Sequence, residues 1–157
     1  MFERILLATD GSVHALEALN YARDLAVAHG SQVIVIHAYE PVSTYLGEPW
    51  LHRVVACHAA MGRELADLAV KELEKAGIDV EVEVLEGPPA DAILRVAENR
   101  QCELILMGSR GRSTLASLLL GSVSHRVLSH ATIPVMIVSA RAAETIRAVP
   151  GSERPPA

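Results

Sequence analysis

The segment Leu104–Ser124, LILMGSRGRSTLASLLLGSVS, decides the fold class of this chain. It begins with four apolar residues, Leu104–Met107, as is typical of a strand buried on both faces. A turn with two glycines follows at Gly108–Gly111, and a further glycine, Gly121, precedes a short helical pattern. A buried strand that leads through glycine turns into a helix favours a parallel α/β sheet.

Four other apolar runs have the length of strands. They are Ile5–Ala8, Val33–Ala38, Val80–Leu85 and Pro134–Val138. Ile5–Ala8 and Val33–Ile36 are continuously apolar, which again favours strands buried on both faces. Residues 80–84 alternate Val and Glu, which predicts an edge strand with one face in water.

Helical patterns lie between these runs. Ser12 is expected to cap a first helix that ends at His29, just before Gly30. A second helix ends at Gly77, Pro88-Pro89 begin a third, and a fourth covers Ser122–Ser129. The residues expected on their buried faces are Leu16, Leu19, Ala22 and Ala26 in the first, Met61, Leu65, Leu68, Leu73 and Ala76 in the second, and Ile93, Val96 and Ala97 in the third. The order predicts a doubly wound five-stranded parallel sheet with helices on both faces.

Composition and charge limit the protein class. The 157 residues are 50% hydrophobic and 21% charged, which suits one domain and excludes a disordered chain. The net charge of −5 argues against nucleic acid as a partner. Both lysines, Lys71 and Lys75, lie in one helical stretch, so no glycine loop carries a Walker-type lysine.

Cysteine usage and apolar run lengths indicate a cytoplasmic protein. Cys57 and Cys102 form neither a disulfide framework nor a CxxC site, and two reduced thiols are expected. No run has the length of a signal peptide or a membrane span. Residues 1–140 are predicted to form the domain, and 141–157, with four of their residues Pro or Gly, a flexible tail.

The candidate chemistry follows the strands, because ligands of open α/β sheets bind at the carboxyl ends of strands. Gly108 and Gly111 can adopt positive φ and leave their backbone N–H groups uncovered, and Gly121-Ser122 begin another helix, whose first N–H groups are free. Arg110 and Arg112 add guanidinium donors, and the combination suits phosphate. Asp10 can accept hydrogen bonds from ribose, hold a metal, or cap the first helix, and these readings stay open. His52, Cys57 and His58 lack a fourth ligand at tetrahedral spacing, so no metal site is expected.

The motif Gly108-x2-Gly111-x9-Gly121-Ser122 resembles the G-x2-G-x9-G-[ST] signature of the universal stress protein family. The opening Ile5–Ser12, the segments Gly87–Ala90 and Leu106–Gly111, and the ending Ile133–Val138 resemble that family in order, over about residues 2–139. The resemblance implies a Rossmann-like fold with strand order 3-2-1-4-5. It also implies binding of ATP, with AMP or ADP as alternatives and Mg²⁺ accompanying the phosphates.

The resemblance assigns site residues by position. Asp10 would bind the ribose hydroxyls, and the backbone of Ala38 would read adenine. The full implied set is Ala8, Thr9, Asp10, Ala38, Met107, Gly108, Arg110, Gly111, Gly121, Ser122, Val123 and Ser124. The resemblance also implies a homodimer through the fifth strand, Val135–Val138, and an unknown protein partner in a stress response. An apolar edge strand independently favours such pairing.

Catalysis is the main alternative to regulation by binding. The stretch from Gly108 to Ser124 contains no Asp, Glu or His that could act as a base beside phosphates, so no catalytic residue is assigned. A slow ATPase or an autophosphorylating phosphotransferase remains the second hypothesis. A phosphoacceptor receiver domain is disfavoured because Asp10 stands without neighbouring acidic residues and no lysine follows Val138. An adenylating enzyme is disfavoured because its Ser-Gly-Gly loop is absent after the first strand.

Overall fold

Five parallel strands form one sheet in the order β3-β2-β1-β4-β5 in the computed structural model, which describes residues 2–41, 48–111 and 120–140. The strands are β1 (Arg4–Ala8), β2 (Gln32–Tyr39), β3 (Val80–Glu86), β4 (Leu104–Gly108) and β5 (Val135–Val138). The helices are α1 (Val13–His29), α2 (Glu48–Lys75), α3 (Pro89–Asn99) and α4 (Ser122–His130). The predicted fold class and strand order are confirmed.

Two apolar layers cover the two faces of the sheet. Side chains alternate along each strand, so Leu7 and Leu106 pack toward α1 and α2, while Leu6 and Ile105 pack toward α3 and α4. β1 and β4 are buried from Ile5 and Leu104 onward, as their continuous apolar sequence predicts. β3 lies at one edge, as predicted, but its burial does not alternate: Val82 is 39% exposed, while Glu81 and Glu83 are half-buried because Arg100 pairs with both.

Helix α1 has the predicted ends, and Leu19, Ala22 and Ala26 are buried as predicted. The Ser12 hydroxyl accepts the Ala15 N–H at 3.2 Å, and Gly30 ends the helix in the left-handed conformation at φ 69°. Leu16 was expected in the core, but it is 47% exposed. The helix instead buries mainly alanines, including Ala15 and Ala18, because small side chains let its axis approach the sheet closely.

Helix α2 buries Leu73 as predicted and leaves Leu65 half-buried, but the rest of the predicted face is exposed. It begins at Glu48, and its buried residues in the C-terminal half are Ala66, Ala69 and Leu73. The prediction that Met61, Leu68 and Ala76 are buried is wrong: Met61 and Leu68 are 48% and 58% exposed, and Ala76 lies beyond the helix and is exposed. Small residues again occupy the contact, so the larger apolar side chains face outward.

Some predictions fall on residues outside the described ranges. Residues 42–47, between β2 and α2, and the predicted tail at 141–157 lie outside the described residues. Arg112, a candidate phosphate donor, also falls outside them. Within the described ranges, no helix combines the length and apolar character that crossing a bilayer requires.

Candidate functional site

A cavity of about 420 Å³ opens at the carboxyl ends of β1 and β4. The chain passes from β1 to β2 on one side and reaches β4 on the other, so the loops after β1 and β4 diverge here. Such a switch point is the usual ligand site of an open parallel sheet. The volume lies in the range of small-molecule pockets.

All twelve residues singled out in the sequence line this one cavity. They are Ala8, Thr9, Asp10, Ala38, Met107, Gly108, Arg110, Gly111, Gly121, Ser122, Val123 and Ser124. Four further lining residues were not predicted as site residues, namely Ala15, Ile36, Pro89 and Ile93. They lie in β2, α1 and α3, where local periodicity marks a residue as buried but does not say whether it faces the core or a cavity.

The cavity wall is divided into an apolar part and a polar part. Ile36, Ala38, Ile93 and Met107 supply aliphatic and thioether surface from β2, α3 and β4. The polar part is formed by the glycine turn after β4 and by the first turn of α4, where small side chains leave backbone groups at the cavity surface. A planar apolar group attached to a charged one would therefore find a matching surface at each end.

Close packing explains two of the glycines. A Cβ at Gly108 would lie 2.7 Å from the Cβ of His14 and 2.9 Å from the backbone nitrogen of Ala15. A Cβ at Gly111 would lie 2.7 Å from Oδ2 of Asp10. Positive φ is not the reason for these two glycines, because neither Gly108 nor Gly111 adopts it. Their backbone lies too near α1 and Asp10 to carry a side chain.

Gly121 differs from these two. A Cβ at Gly121 would meet nothing closer than 3.5 Å, at the Cα of Arg110 and the carbonyl oxygen of Ser109. Its φ of −74° and ψ of 160° suit any residue. The protein itself therefore has room for a side chain here, and the residue borders the cavity. As the N-cap of α4, Gly121 supplies no side chain to cover the N–H groups of the first turn.

Hydrogen bonds hold the glycine turn against α4. The Gly121 N–H donates to the Ser109 carbonyl at 2.8 Å, and the Ser124 hydroxyl donates to the Gly108 carbonyl at 2.9 Å. The Ser109 N–H donates to the Val138 carbonyl at 2.7 Å, which ties the turn to β5 as well. The end of β4 and the start of α4 therefore form one pre-organised wall.

The structure distinguishes the roles proposed for Asp10. Ser12, not Asp10, is the N-cap of α1. Asp10 accepts the Ser12 N–H at 3.0 Å through Oδ1, which fixes the carboxylate at the cavity wall. The carboxylate thus supports the turn after β1 and also faces the space where a ligand would lie.

Arg110 carries an unusual buried donor. Its Nε atom is buried, and no hydrogen-bond partner for it exists within the described residues. Its carbonyl oxygen accepts the Ser12 hydroxyl at 3.3 Å, which fixes the backbone of the turn. A buried guanidinium N–H without a partner is unfavourable. Arg110 also lines the cavity, and its positive charge favours an anion there. The partial positive charge at the start of α4 acts in the same direction.

His14 is a neighbour of the site that the sequence did not indicate. Its Nδ1 accepts the Ala140 N–H at 2.9 Å and lies 3.3 Å from the Ser109 hydroxyl oxygen. Burial first, and then the charge of Arg110, lower the pKa of His14, whereas Asp10 opposes the shift. No sequence signal could reveal this contact, because 126 residues separate its two ends.

The other histidines and the cysteines show no metal-binding arrangement. The described ranges contain no group of three or more His, Cys, Asp or Glu residues that could hold a metal ion. His37 lies near the end of β2, with Nδ1 2.8 Å from the Thr9 carbonyl oxygen. Cys102 is buried, and burial raises the pKa of its thiol to about 11.

Comparison with known proteins gives the same family across the chain. The model of the "Universal stress protein family" matches residues 1–139. A universal stress protein of Thermus aquaticus is 40% identical over 139 residues, which cover 88% of this chain and 99% of that protein. The structure of MJ0577 from Methanocaldococcus jannaschii aligns with a TM-score of 0.82 at 28% identity, covering 88% of this chain and 96% of that one.

A third likeness is to a solved complex. A universal stress protein in complex with cAMP aligns with a TM-score of 0.65 at 28% identity, over 87% of this chain and 97% of that chain. These matches run through every strand and helix from β1 to β5. The chain therefore belongs to the universal stress protein family.

Proposed function

We propose that this protein binds an adenine nucleotide, ATP first, and acts as a regulatory module rather than as an enzyme. The observation that carries the proposal is the two-part cavity at the carboxyl ends of β1 and β4, with an apolar slot at one end and backbone N–H groups with Arg110 at the other. The cAMP complex of a relative supports the adenine class of ligand.

The base would occupy the apolar part of the cavity. Ile36, Ala38, Ile93 and Met107 offer a slot without charged side chains, which suits a flat heteroaromatic ring. The backbone of Ala38, at the C-terminal end of β2, offers polar groups for the edge of the ring. Ribose would lie beside Asp10, whose carboxylate can accept hydrogen bonds from its hydroxyls.

The phosphates would lie against the glycine turn and the start of α4. Ser122, Val123 and Ser124 place first-turn N–H groups at the cavity, and the helix dipole favours negative charge there. Arg110 also lines the cavity, and its guanidinium group would pair with a phosphate. Mg²⁺ would neutralise part of the triphosphate charge when it accompanies ATP.

These residues suit regulation by nucleotide binding better than they suit catalysis of phosphoryl transfer. Phosphoryl transfer needs a positioned nucleophile or water as well as charge stabilisation. Asp10 is the carboxylate that lines the cavity, and it already accepts the Ser12 N–H at the predicted ribose end. Binding would instead order the turn after β4, which connects through Ser109 to β5.

β5 is the proposed dimer strand. It lies at the edge of the sheet, and its residues Val135, Met136 and Ile137 are half-buried in the single chain. An apolar edge strand favours pairing with a symmetry-related copy. The Val138 carbonyl accepts the Ser109 N–H, so a single hydrogen bond would connect the dimer strand to the nucleotide-binding turn. The module would act in the cytoplasm, in a stress response, on a protein partner.

Nucleotide binding is tested by melting temperature and by chemical analysis. ATP at about 100 times its Kd should add about 2.7 kcal/mol to the free energy of unfolding, and GTP should add less. Mass spectrometry of nucleotide released from the denatured purified protein should detect adenine nucleotides. Equal shifts with ATP and GTP, or none with either, would contradict the proposal.

The enzyme hypothesis is tested on the same samples. Single-turnover hydrolysis of ATP should be far slower than the roughly 1–100 s⁻¹ of kinases. Gly121→Val should abolish ATP binding, since the side chain would border the proposed phosphate position. Rapid turnover by the wild type that is lost in the variant would favour the ATPase, and unchanged binding by the variant would refute the site.

A further inference from the structure

Helix α2 carries a continuous apolar stripe that faces away from the sheet. We define the α2 stripe as Trp50, Val54, Cys57, Met61, Leu65 and Leu68, spaced by three or four residues. Trp50, Cys57, Met61 and Leu68 are exposed, and Val54 and Leu65 are half-buried. Spacings of three and four place these side chains along one side of a helix over about 27 Å.

The α2 stripe lies beside the start of α1. A Cβ at Gly11 would lie 2.5 Å from Cδ2 of Leu65, so the start of α1 lies against the middle of α2. The pKa of Glu72 is lowered mainly by its hydrogen bond to Lys75, and Arg23 of α1 adds to the shift. The two helices therefore run side by side in the same direction.

The exposed apolar residues of the α2 stripe are neighbours along one side of a helix rather than scattered over the surface. Four side chains of the α2 stripe, Trp50, Cys57, Met61 and Leu68, are exposed, and so is Val13 of α1. Isolated exposed apolar side chains are normal, but a contiguous apolar patch on a helix pair usually marks an interaction site.

We propose that the α2 stripe is a self-association surface, on which α2 of one copy packs antiparallel against α2 of a second copy. With the two-fold axis near Ala59, Trp50 faces Leu68 of the second copy, Val54 faces Leu65, and Cys57 faces Met61. Each contact occurs twice, because a two-fold interface exchanges the roles of the two residues. Every residue of the stripe then meets an apolar residue.

Charge complementarity selects this occupant and this register. Arg53 and Glu64 are both exposed and lie on the outer flank of the α2 stripe. The same axis near Ala59 brings Arg53 opposite Glu64 of the second copy, and Glu64 opposite Arg53. In a parallel two-fold pairing, Arg53 of one copy would instead lie about 16 Å along the helix axis from Glu64 of the second copy, so the opposite charges would not meet. The opposite-charge pairs therefore favour the antiparallel arrangement.

The α2 surface is separate from the proposed dimer strand. α2 packs over β2 and β3, whereas β5 forms the opposite edge of the sheet. Pairing through α2 can therefore occur with or without pairing through β5. When both occur, the assembly contains at least four chains.

The test combines charge reversal with solution mass. Glu64→Arg should halve the mass measured by light scattering or sedimentation, since it sets Arg against Arg53 of the second copy. Arg53→Glu should do the same, and the double variant Arg53→Glu/Glu64→Arg should restore the wild-type mass. Both residues are exposed, so the melting temperature of each chain should stay near the wild-type value. A mass unchanged by either single reversal would overturn the proposal.

Cys57 provides an independent measurement, because the sequence contains two cysteines and the other, Cys102, is buried. A short bis-maleimide should join two copies of the wild type through Cys57, two residues from the proposed axis. Cys57→Ser should abolish the product, and Cys57→Ser/Val27→Cys should not restore it, since Val27 is exposed but lies outside the α2 stripe.

Other occupants give other results. Crosslinking that persists in Glu64→Arg would overturn the register. Absence of crosslinking in the wild type, with Cys57 becoming reactive only after removal of residues 141–157, would assign the surface to the chain's own C-terminal segment and overturn self-association.

Discussion

Replacing Gly108 or Gly121 by Ala should separate the glycine that the fold needs from the glycine that a ligand needs. At Gly108 the new Cβ would lie 2.7 Å from the Cβ of His14 and 2.8–2.9 Å from backbone atoms of His14 and Ala15. These atoms belong to the first turns of α1 and cannot rotate away as a flexible side chain can. At Gly121 the nearest atoms are 3.5 Å away, which is ordinary van der Waals contact.

The magnitudes follow from these distances. Overpacking of this kind costs about 1–3 kcal/mol, so Gly108→Ala should lower the Tm by about 3–10 °C for a domain of this size. Gly121→Ala needs no positive φ, and it should change the Tm of the nucleotide-free protein by at most a few degrees, because Ala lowers the entropy of the unfolded chain but is a poorer N-cap of α4 than Gly. The same variant should weaken ATP binding by roughly tenfold or more, which removes about 1.4 kcal/mol of the stabilisation by ATP.

Differential scanning fluorimetry with and without ATP measures both effects on each variant. Gly108→Ala should show the lower Tm without nucleotide, and Gly121→Ala the smaller shift when ATP is added. The reasoning would be refuted if Gly121→Ala lowered the nucleotide-free Tm as much as Gly108→Ala does. It would also fail if Gly121→Ala showed the full wild-type response to ATP.

Three further outcomes are expected. Met136→Glu should convert a dimer paired through β5 to monomer, because like charges would approach across the paired strands; an unchanged mass in light scattering would locate the interface elsewhere. The lowered pKa of His14 means that the unfolded state binds the proton more readily, so stability should be full above pH 6.5 and fall as the pH drops from there through the lower folded pKa. His14→Gln should flatten this part of the Tm–pH curve, and a curve that keeps the wild-type slope would contradict the assignment. With a thiol reagent at neutral pH, Cys57 should react in the folded protein and Cys102 only after denaturation, since Cys102 is buried with a pKa of about 11; fast labelling of both would contradict this.

Local sequence signals determined the fold. The continuous apolar runs at Ile5–Ala8 and Leu104–Met107 identify strands buried on both faces, because each side of such a strand must contact a helix. Ser12 and Gly30 mark the ends of α1 through capping and left-handed geometry, which depend on a few neighbouring residues. The glycine spacing from Gly108 to Gly121, read as a family resemblance, located the cavity wall.

Tertiary structure alone decided which apolar side chains are buried and what meets in the cavity. Leu16, Met61 and Leu68 fit an amphipathic pattern but are exposed. Nearby alanines such as Ala15 and Ala69 pack against the sheet instead, because small side chains allow closer approach of the helix. Periodicity defines the apolar stripe of a helix and not the depth at which it docks. The contact between His14 and Ala140, and the close approach of Gly108 to α1, join segments about 90 or more residues apart along the chain. Strand order and crossover handedness determine which distant segments lie close together, and both are defined only once the sheet has formed.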